Sequence, residues 1–189
     1  MTEHFTVALV GNPNAGKSTI FNALTGEHQH VGNWPGKTIE MKEGQFSING
    51  TTFTVIDLPG TYSLTAYSLE EVITRDYLIQ ERPDAVVVVA DAANLERNLY
   101  LVVQVVELGA PVIVVLNMTD IAVSRGMKID VQKLAAGLGV PVIASIATQG
   151  KGLDELKRGI LDTARHQTRT RQNIRHESNH DVHRCPKCG

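Results

Sequence analysis

Gly11 to Ser18 read Gly-Asn-Pro-Asn-Ala-Gly-Lys-Ser and fit the pattern G-x4-G-K-[ST]. A glycine-rich loop of this form aims backbone N–H groups and a helix N-terminus at a chain of phosphates. Lys17 adds a cation for the β- and γ-phosphates, and Ser18 a hydroxyl suited to Mg²⁺. About 40 residues further on, Asp57-Leu58-Pro59-Gly60 supplies a carboxylate able to reach Mg²⁺ through water, and a glycine where the backbone can approach the γ-phosphate. Asn117-Met118-Thr119-Asp120 has N-x-x-D spacing. The Asp120 carboxylate can accept both N1–H and N2–H of guanine, a donor pair adenine lacks, and a polar site left unpaired by the wrong base discriminates strongly. Met118 stands where lysine is usual, so stacking on the base would come from a thioether chain. The chemistry these residues suit is binding and hydrolysis of GTP, with GDP as product and Mg²⁺ as cofactor.

A fourth segment, His28 to Glu40, is rich in Gly and Pro. Gly32, Pro35 and Gly36 are expected to prevent regular structure, and Trp34, the only Trp, is expected outside the core. Thr38 is placed to offer its hydroxyl to Mg²⁺ and its N–H to the γ-phosphate. A long irregular loop between two elements is usually functional, and here it reads as a nucleotide-sensing switch.

These motifs need strands and helices to hold them. Phe5–Val10, Phe53–Asp57, Ala85–Asp91, Val112–Asn117 and Val142–Ser145 are near-continuous apolar runs, which suit strands buried on both faces of a mostly parallel sheet. Glu43–Ile48 alternates in polarity, and Asn49-Gly50 signals a hairpin turn, so one antiparallel strand is expected at the sheet edge beside Phe53–Asp57. Helices are expected over Lys17–Leu24, from a Ser68-x-x-Glu71 capping box to Leu78, over Glu96–Leu108 with Asn94 as cap, over Val131–Leu138, and around Leu153–Leu161. Alternating elements of this kind form an α/β fold with about six strands and helices on both faces. Ligands of such sheets bind beyond the carboxyl ends of the strands, where the motifs fall.

Length and composition agree. The 189 residues suit one domain of ordinary size, and 42% hydrophobic with 20% charged residues excludes wholesale disorder. No apolar run approaches the roughly 18 residues of a membrane span, and no signal peptide is visible, so the chain reads as soluble and cytosolic. The net charge of −2 is unevenly spread. Residues 1–165 carry 13 basic and 18 acidic side chains, a balance of −5; residues 166–189 carry five and two, with four of the seven His and both Cys. A domain over 1–165 and a basic appendage over 166–189 are expected. The acidic balance argues against a nucleic-acid partner.

Taken together, the strings GNPNAGKST, VGNWPGKTIE, KEGQFS, DLPGTYSL, DAANLERNLYL and LNMTD, spread over roughly residues 5 to 120, resemble the cytosolic G domain of the FeoB family of prokaryotic ferrous-iron transporters. VGNWPG and NLERNLYL are far more specific than a bare phosphate loop. The resemblance implies a Ras-like fold and a GTPase that drives or gates Fe²⁺ uptake, joined to a membrane iron-permease region at the cytoplasmic face of the inner membrane. It implies nucleotide contacts from Gly11, Asn12, Pro13, Asn14, Ala15, Gly16, Lys17, Ser18, Thr19, Gly36, Lys37, Thr38, Asp57, Leu58, Pro59, Gly60, Asn117, Met118 and Asp120, with Lys17, Thr38, Gly60 and Asn14 in catalysis. It also implies activation by K⁺, held by the Asn14 side chain and the Gly32 and Trp34 carbonyls, in the charge-stabilising place of an arginine finger. Thr61 stands where many GTPases carry a water-orienting Gln, so switch backbone groups are expected to position the water. Where the family's guanine-ring loop should carry Ser-Ala, this chain has Ile146-Ala147, so the residue donating to guanine O6 stays open. So do self-association into a homo-oligomer and two other readings: a GTPase of RNA or ribosome assembly, and a nucleotide-sensing module that barely turns over.

In the appendage, His180, His183, Cys185 and Cys188 are all ligand types for a borderline or soft metal. Their spacing is tighter than the usual two separated pairs, and a solvated tail is the favoured reading.

Overall fold

The computed structural model describes residues 3–26, 29–36 and 38–180, the last ten by backbone alone. The apolar runs become strands β1 (His4–Gly11), β4 (Thr51–Asp57), β5 (Ala85–Asp91), β6 (Val112–Asn117) and β7 (Val142–Ala144). Two others, β2 (Gln29–Asn33) and β3 (Glu40–Ile48), complete a seven-stranded sheet of order β2-β3-β4-β1-β5-β6-β7. β1, β4, β5, β6 and β7 pair parallel, while β3 runs antiparallel to both its neighbours. The fold is the expected Ras-like α/β architecture.

The sheet has one strand more than the sequence suggests. β3 begins at Glu40, three residues early, and its extra length offers a free edge that pairs Asn33 with Glu40 and Gln29 with Gly44. At an edge Gly32 is tolerable, because one side of the strand needs no partner. Among the described residues between β2 and β3, Trp34–Gly36 and Thr38–Ile39 lie outside the strands, and the Trp34 N–H donates to the Ile39 carbonyl at 2.9 Å. The hairpin between β3 and β4 turns on Asn49 and Gly50, both with positive φ, as its two-residue loop demands.

Strand alternation sorts the core into two layers. Val7, Leu9, Val87 and Val89 face one side, beneath α1 (Lys17–Thr25) and α6 (Leu153–His180). Ala8, Val10, Val86, Val88 and Ala90 face the other, beneath α2 (Leu69–Gln80) and α3 (Leu95–Glu107). The short α4 (Thr119–Ser124) and α5 (Val131–Leu138) complete the helices. Phe53, fully buried, stacks on Phe46 at 4.9 Å and lies 5.6 Å from Phe5. Truncating such a ring to Ala costs about 3–5 kcal/mol.

The capping box at Ser68 forms: its Oγ accepts the Glu71 N–H at 3.2 Å, and the Ser68 N–H is among the donors that lower the Glu71 pKa. The same carboxylate also reaches the preceding loop. The expected cap of α3 is used differently. Asn94 gives α3 no side-chain cap; its amide donates to Asp91, whose carboxylate caps the 3₁₀ turn Ala92–Asn94 instead. α6 runs unbroken past Arg165 to His180. The His180 side chain and the whole of His183, Cys185 and Cys188 lie outside the described residues. Among the described residues no helix is long and apolar enough to cross a membrane.

Candidate functional site

β4, β1, β5 and β6 lie side by side as parallel strands in that order, with Leu9 opposite Asp57 and Asp91 of β5 opposite Asn117. Each expected motif begins where one of these strands stops. The loop after β1 and the start of α1 form the floor of a cleft of about 590 Å³, lined by Asn12, Pro13, Asn14, Gly16, Lys17, Ser18, Thr19, Gly60 and Met118. Gly11, Ala15, Asp57, Leu58 and Asn117 are buried around this floor.

Asn117, 3% exposed, is the strut of the site. Its amide donates to the Ala15 carbonyl at 3.1 Å, and its oxygen accepts the Ala147 N–H at 3.1 Å. One side chain thus ties the phosphate loop to the turn after β7. Gly16 lies against it with φ +88, and a Cβ there would sit 2.2 Å from the Asn117 amide nitrogen. Both the backbone conformation and the space require glycine. Asp120 stands exposed in the first turn of α4, and Met118, with φ +60, is held in a left-handed conformation that brings it to the cleft. Both N–H groups of the open guanine-ring loop are engaged, Ile146 to the Lys151 carbonyl and Ala147 to Asn117. A base oxygen would have to share or replace one of these bonds.

Lys17 and Asp57 form a nearly buried ion pair beside the cleft. The Asp57 carboxylate and the exposed Ser18 hydroxyl are oxygen donors that this end of the sheet offers. Hard oxygen donors of this kind suit Mg²⁺. A Cβ at Gly60 would meet Pro13 at 3.5 Å, an ordinary contact, so the protein alone does not demand glycine there. Asn12 is 3% exposed, and both polar atoms of its amide are buried without a partner among the described residues.

Gly60 reaches this floor, but the described residues of the Gly32–Thr38 region do not. Gly32 lies in β2, Gly36 in the turn that follows, and Thr38 is exposed; none lines the cleft, and Lys37 is outside the described residues. Trp34, expected outside the core, is half-buried: its ring meets Tyr77 of α2 edge-on at 5.5 Å and packs against the second core layer. The reason is that the β2–β3 pair carries the turn to α2. Burial, then the Glu81 and Glu43 carboxylates, push the Tyr77 hydroxyl up to about 12.

After Gly60, Thr61 donates its N–H to the Gly11 carbonyl at 3.2 Å and its hydroxyl to Ser63 O at 2.8 Å. The Glu71 carboxylate accepts from the Ser63 hydroxyl at 2.7 Å, the Tyr67 N–H at 2.9 Å and the Thr65 hydroxyl at 3.3 Å. The Ser63 bond leads the effects that lower its pKa. These ties escaped sequence reasoning. Ser-x-x-Glu spacing gave the only signal at Glu71, and it pointed to Ser68 alone among these partners.

A phosphate loop, a carboxylate at the end of the neighbouring strand and an Asn-x-x-Asp strand end, all on a Ras-like sheet, define a G domain. The chain belongs to the family described as ferrous iron transport protein B, whose N-terminal model matches residues 5–160. It is 52% identical over 159 residues to the Fe(2+) transporter FeoB of Escherichia coli (strain K12), and 51% identical to that of Salmonella typhimurium (strain LT2). Each match covers 82% of this chain but 21% of the relative, so the chain spans about a fifth of the length of these curated relatives. Among solved structures, the FeoB G domain of Methanococcus jannaschii matches with a TM-score of 0.78 at 50% identity, covering 87% of this chain and 99% of that one. The cytosolic domain of T. maritima FeoB in its GMPPNP form matches with a TM-score of 0.82 at 48% identity, covering 85% and 64%.

Proposed function

We propose that this domain binds GTP and hydrolyses it to GDP and phosphate, and that it serves as the switch module of a ferrous-iron uptake transporter at the cytoplasmic face of the membrane. The observation that carries the reading is the convergence of the phosphate loop, Asp57 and the Asn117–Asp120 strand end at one cleft, braced by the Asn117 amide. Relatives captured in GDP and GMPPNP forms support it.

In this reading the loop N–H groups and Lys17 hold the phosphates, and Lys17 exchanges Asp57 for the nucleotide. Ser18, Thr38 and, through water, Asp57 would hold Mg²⁺, which neutralises charge on the phosphate oxygens when bound. Asn14, exposed at the cleft, suits K⁺, and the Gly32 and Trp34 carbonyls complete that site once the segment leaves Tyr77. Thr61 carries no amide or carboxylate, so the attacking water is oriented by backbone groups of the Gly60–Thr61 segment. We place the end of the compact domain near Arg165: its guanidinium reaches Glu3 at 2.8 Å, and Ala164 is the last fully buried apolar residue among the described side chains. Residues 166–189 then lead toward the rest of a longer protein and its membrane permease region.

Asp120→Asn tests the base assignment. The amide can donate to xanthine O2 but clashes with the guanine donors, so GTP affinity should fall at least about a hundredfold while xanthosine triphosphate affinity rises. Unchanged preference in equilibrium binding removes Asp120 from the base site. Turnover in KCl well above that in NaCl, lost in Asn14→Ala, is expected for the potassium site; equal rates exclude it.

A further inference from the structure

The nucleotide chemistry makes no use of Asp91 to Leu101, one of the most distinctive strings in the chain. Its polar residues form a small scaffold. Asp91, at the end of β5, accepts the Ala93 N–H at 2.8 Å and the Asn94 amide at 2.6 Å. Asn98, buried, donates to the Asn94 carbonyl at 2.9 Å and accepts the Asp91 N–H at 3.2 Å. These bonds fasten the first turn of α3 to the strand end. From that turn Arg97 reaches over the exposed ring of Tyr62, its guanidinium carbon 4.0 Å from the ring centroid. Two turns further on, Gln104 accepts the Leu64 N–H at 2.9 Å. Two side chains of α3 therefore hold the segment that directly follows Gly60, and neither lines the nucleotide cleft.

We infer that Arg97 is a positioning residue for GTP hydrolysis, setting the backbone from Gly60 to Tyr62 through the Tyr62 ring while Gln104 holds the far end at Leu64. The inference rests on the GTPase reading above. Thr61 turns its hydroxyl to Ser63 and its N–H to Gly11, so what this segment has left to meet the substrate is other backbone, the Gly60 N–H and the Gly60 and Thr61 carbonyls. Such groups help only if they are in place before the reaction begins. A side chain could adjust its rotamer, but backbone must be held from outside, and a displacement of about 1 Å costs on the order of a hundredfold in rate. Arg97 adds a hold from α3 to those of the Thr74 hydroxyl on the Pro59 carbonyl at 3.3 Å and the Thr61 N–H on Gly11. Its pair with Tyr62 is exposed, and an exposed cation–π contact is worth a factor of about two to five. Losing it should slow turnover without abolishing it.

The test is steady-state hydrolysis of GTP by the purified chain with Mg²⁺ in KCl, alongside GDP affinity and thermal midpoint. Arg97→Ala should lower kcat about two- to fivefold and leave KM, GDP affinity and the midpoint unchanged. Arg97→Lys keeps a cation and Tyr62→Phe keeps the ring, so each should hold most of the turnover. The double variant Arg97→Ala/Tyr62→Ala should be no slower than Tyr62→Ala alone. A raised KM with unchanged kcat, additive losses in the double variant, or a stable Arg97→Lys as slow as Arg97→Ala overturns the inference. Wild-type kcat in Arg97→Ala overturns it while the GTPase reading stands. A wild-type chain without turnover overturns both.

Discussion

The two halves of the nucleotide cleft are held in different ways. On the base side, buried bonds of 3.1 Å join Asn117 to Ala15 and Ala147, and almost no space is left between Asn117 and Gly16. On the switch side, Trp34 leans on Tyr77, Tyr62 lies under Arg97, and a single carboxylate, Glu71, gathers the loop from Ser63 to Tyr67. Buried polar bonds are expensive to break and seldom open, whereas exposed aromatic and charged contacts exchange at little cost. The first half can therefore act as a fixed gauge for the base and phosphates, and the second can move with the γ-phosphate. Removing contacts on each side tests that division.

The largest effect should come from Gly16→Ala. The new Cβ meets the Asn117 nitrogen at 2.2 Å in a backbone conformation with φ +88, so strain and clash together should cost roughly 3 kcal/mol or more. Nucleotide binding should be lost, and calorimetry should show a clear drop in thermal midpoint. Normal binding in this variant would mean the strut can swing aside. Next comes Asn117→Ala, which leaves the Ala15 carbonyl and the Ala147 N–H buried without a partner, at about 2–4 kcal/mol for the two. Denaturant unfolding should register it even without nucleotide. A loss seen only in nucleotide affinity would make Asn117 a base ligand and not a strut.

That contrast also explains what could be read from the sequence. The base side was legible because its motifs are local: an apolar strand, a fixed loop pattern and a helix start are contiguous, so spacing alone places Lys17 and Asp120. The β3–β4 hairpin was legible for the same reason, through Asn49-Gly50. β2 was not. Gly32 and Pro35 argue against a strand, and only the free edge of β3, paired on its other side with β4, overrides them. The switch-side supports join residues far apart in the chain, Tyr62 to Arg97 and Trp34 to Tyr77, and no periodicity announces them. At Glu71 the local pattern was present and incomplete: the N3 glutamate meets the Ser68 N–H of its capping box and also gathers Ser63, Thr65 and Tyr67 of the neighbouring loop, which spacing does not announce.

Glu71 gives the intermediate test. Its folded pKa is lowered, first by the Ser63 hydroxyl and then by the backbone donors at Tyr67 and Ser68, from an ordinary 4.5. A depressed carboxyl contributes stability that is fully present above its unfolded pKa and is lost as pH falls through the folded value. Wild-type stability should thus be level in this contribution above about pH 4.5 and decline below it. Glu71→Gln should lie lower by about 1 kcal/mol at neutral pH and decline less steeply in acid. Parallel curves for the two proteins would show that the carboxylate does not gather the loop.

The smallest effect tests the most mobile contact. Trp34 is the only tryptophan, so its fluorescence reports on the switch segment alone. Tyr77→Leu keeps apolar bulk on α2 but removes the edge-on ring, a contact worth about 0.5–1.5 kcal/mol. Global stability should change by no more than that, while Trp34 emission shifts toward longer wavelength as the indole loses its seat. If the segment must leave Tyr77 to bring Thr38 to the nucleotide, a non-hydrolysable GTP analogue should produce the same shift in the wild type and little further change in the variant. The variant should then bind the analogue slightly more tightly and GDP unchanged, since only the γ-phosphate competes with the seat. An emission spectrum that ignores both the substitution and the analogue would place Trp34 on the fixed side of the site, and the division between the two halves would have to be redrawn.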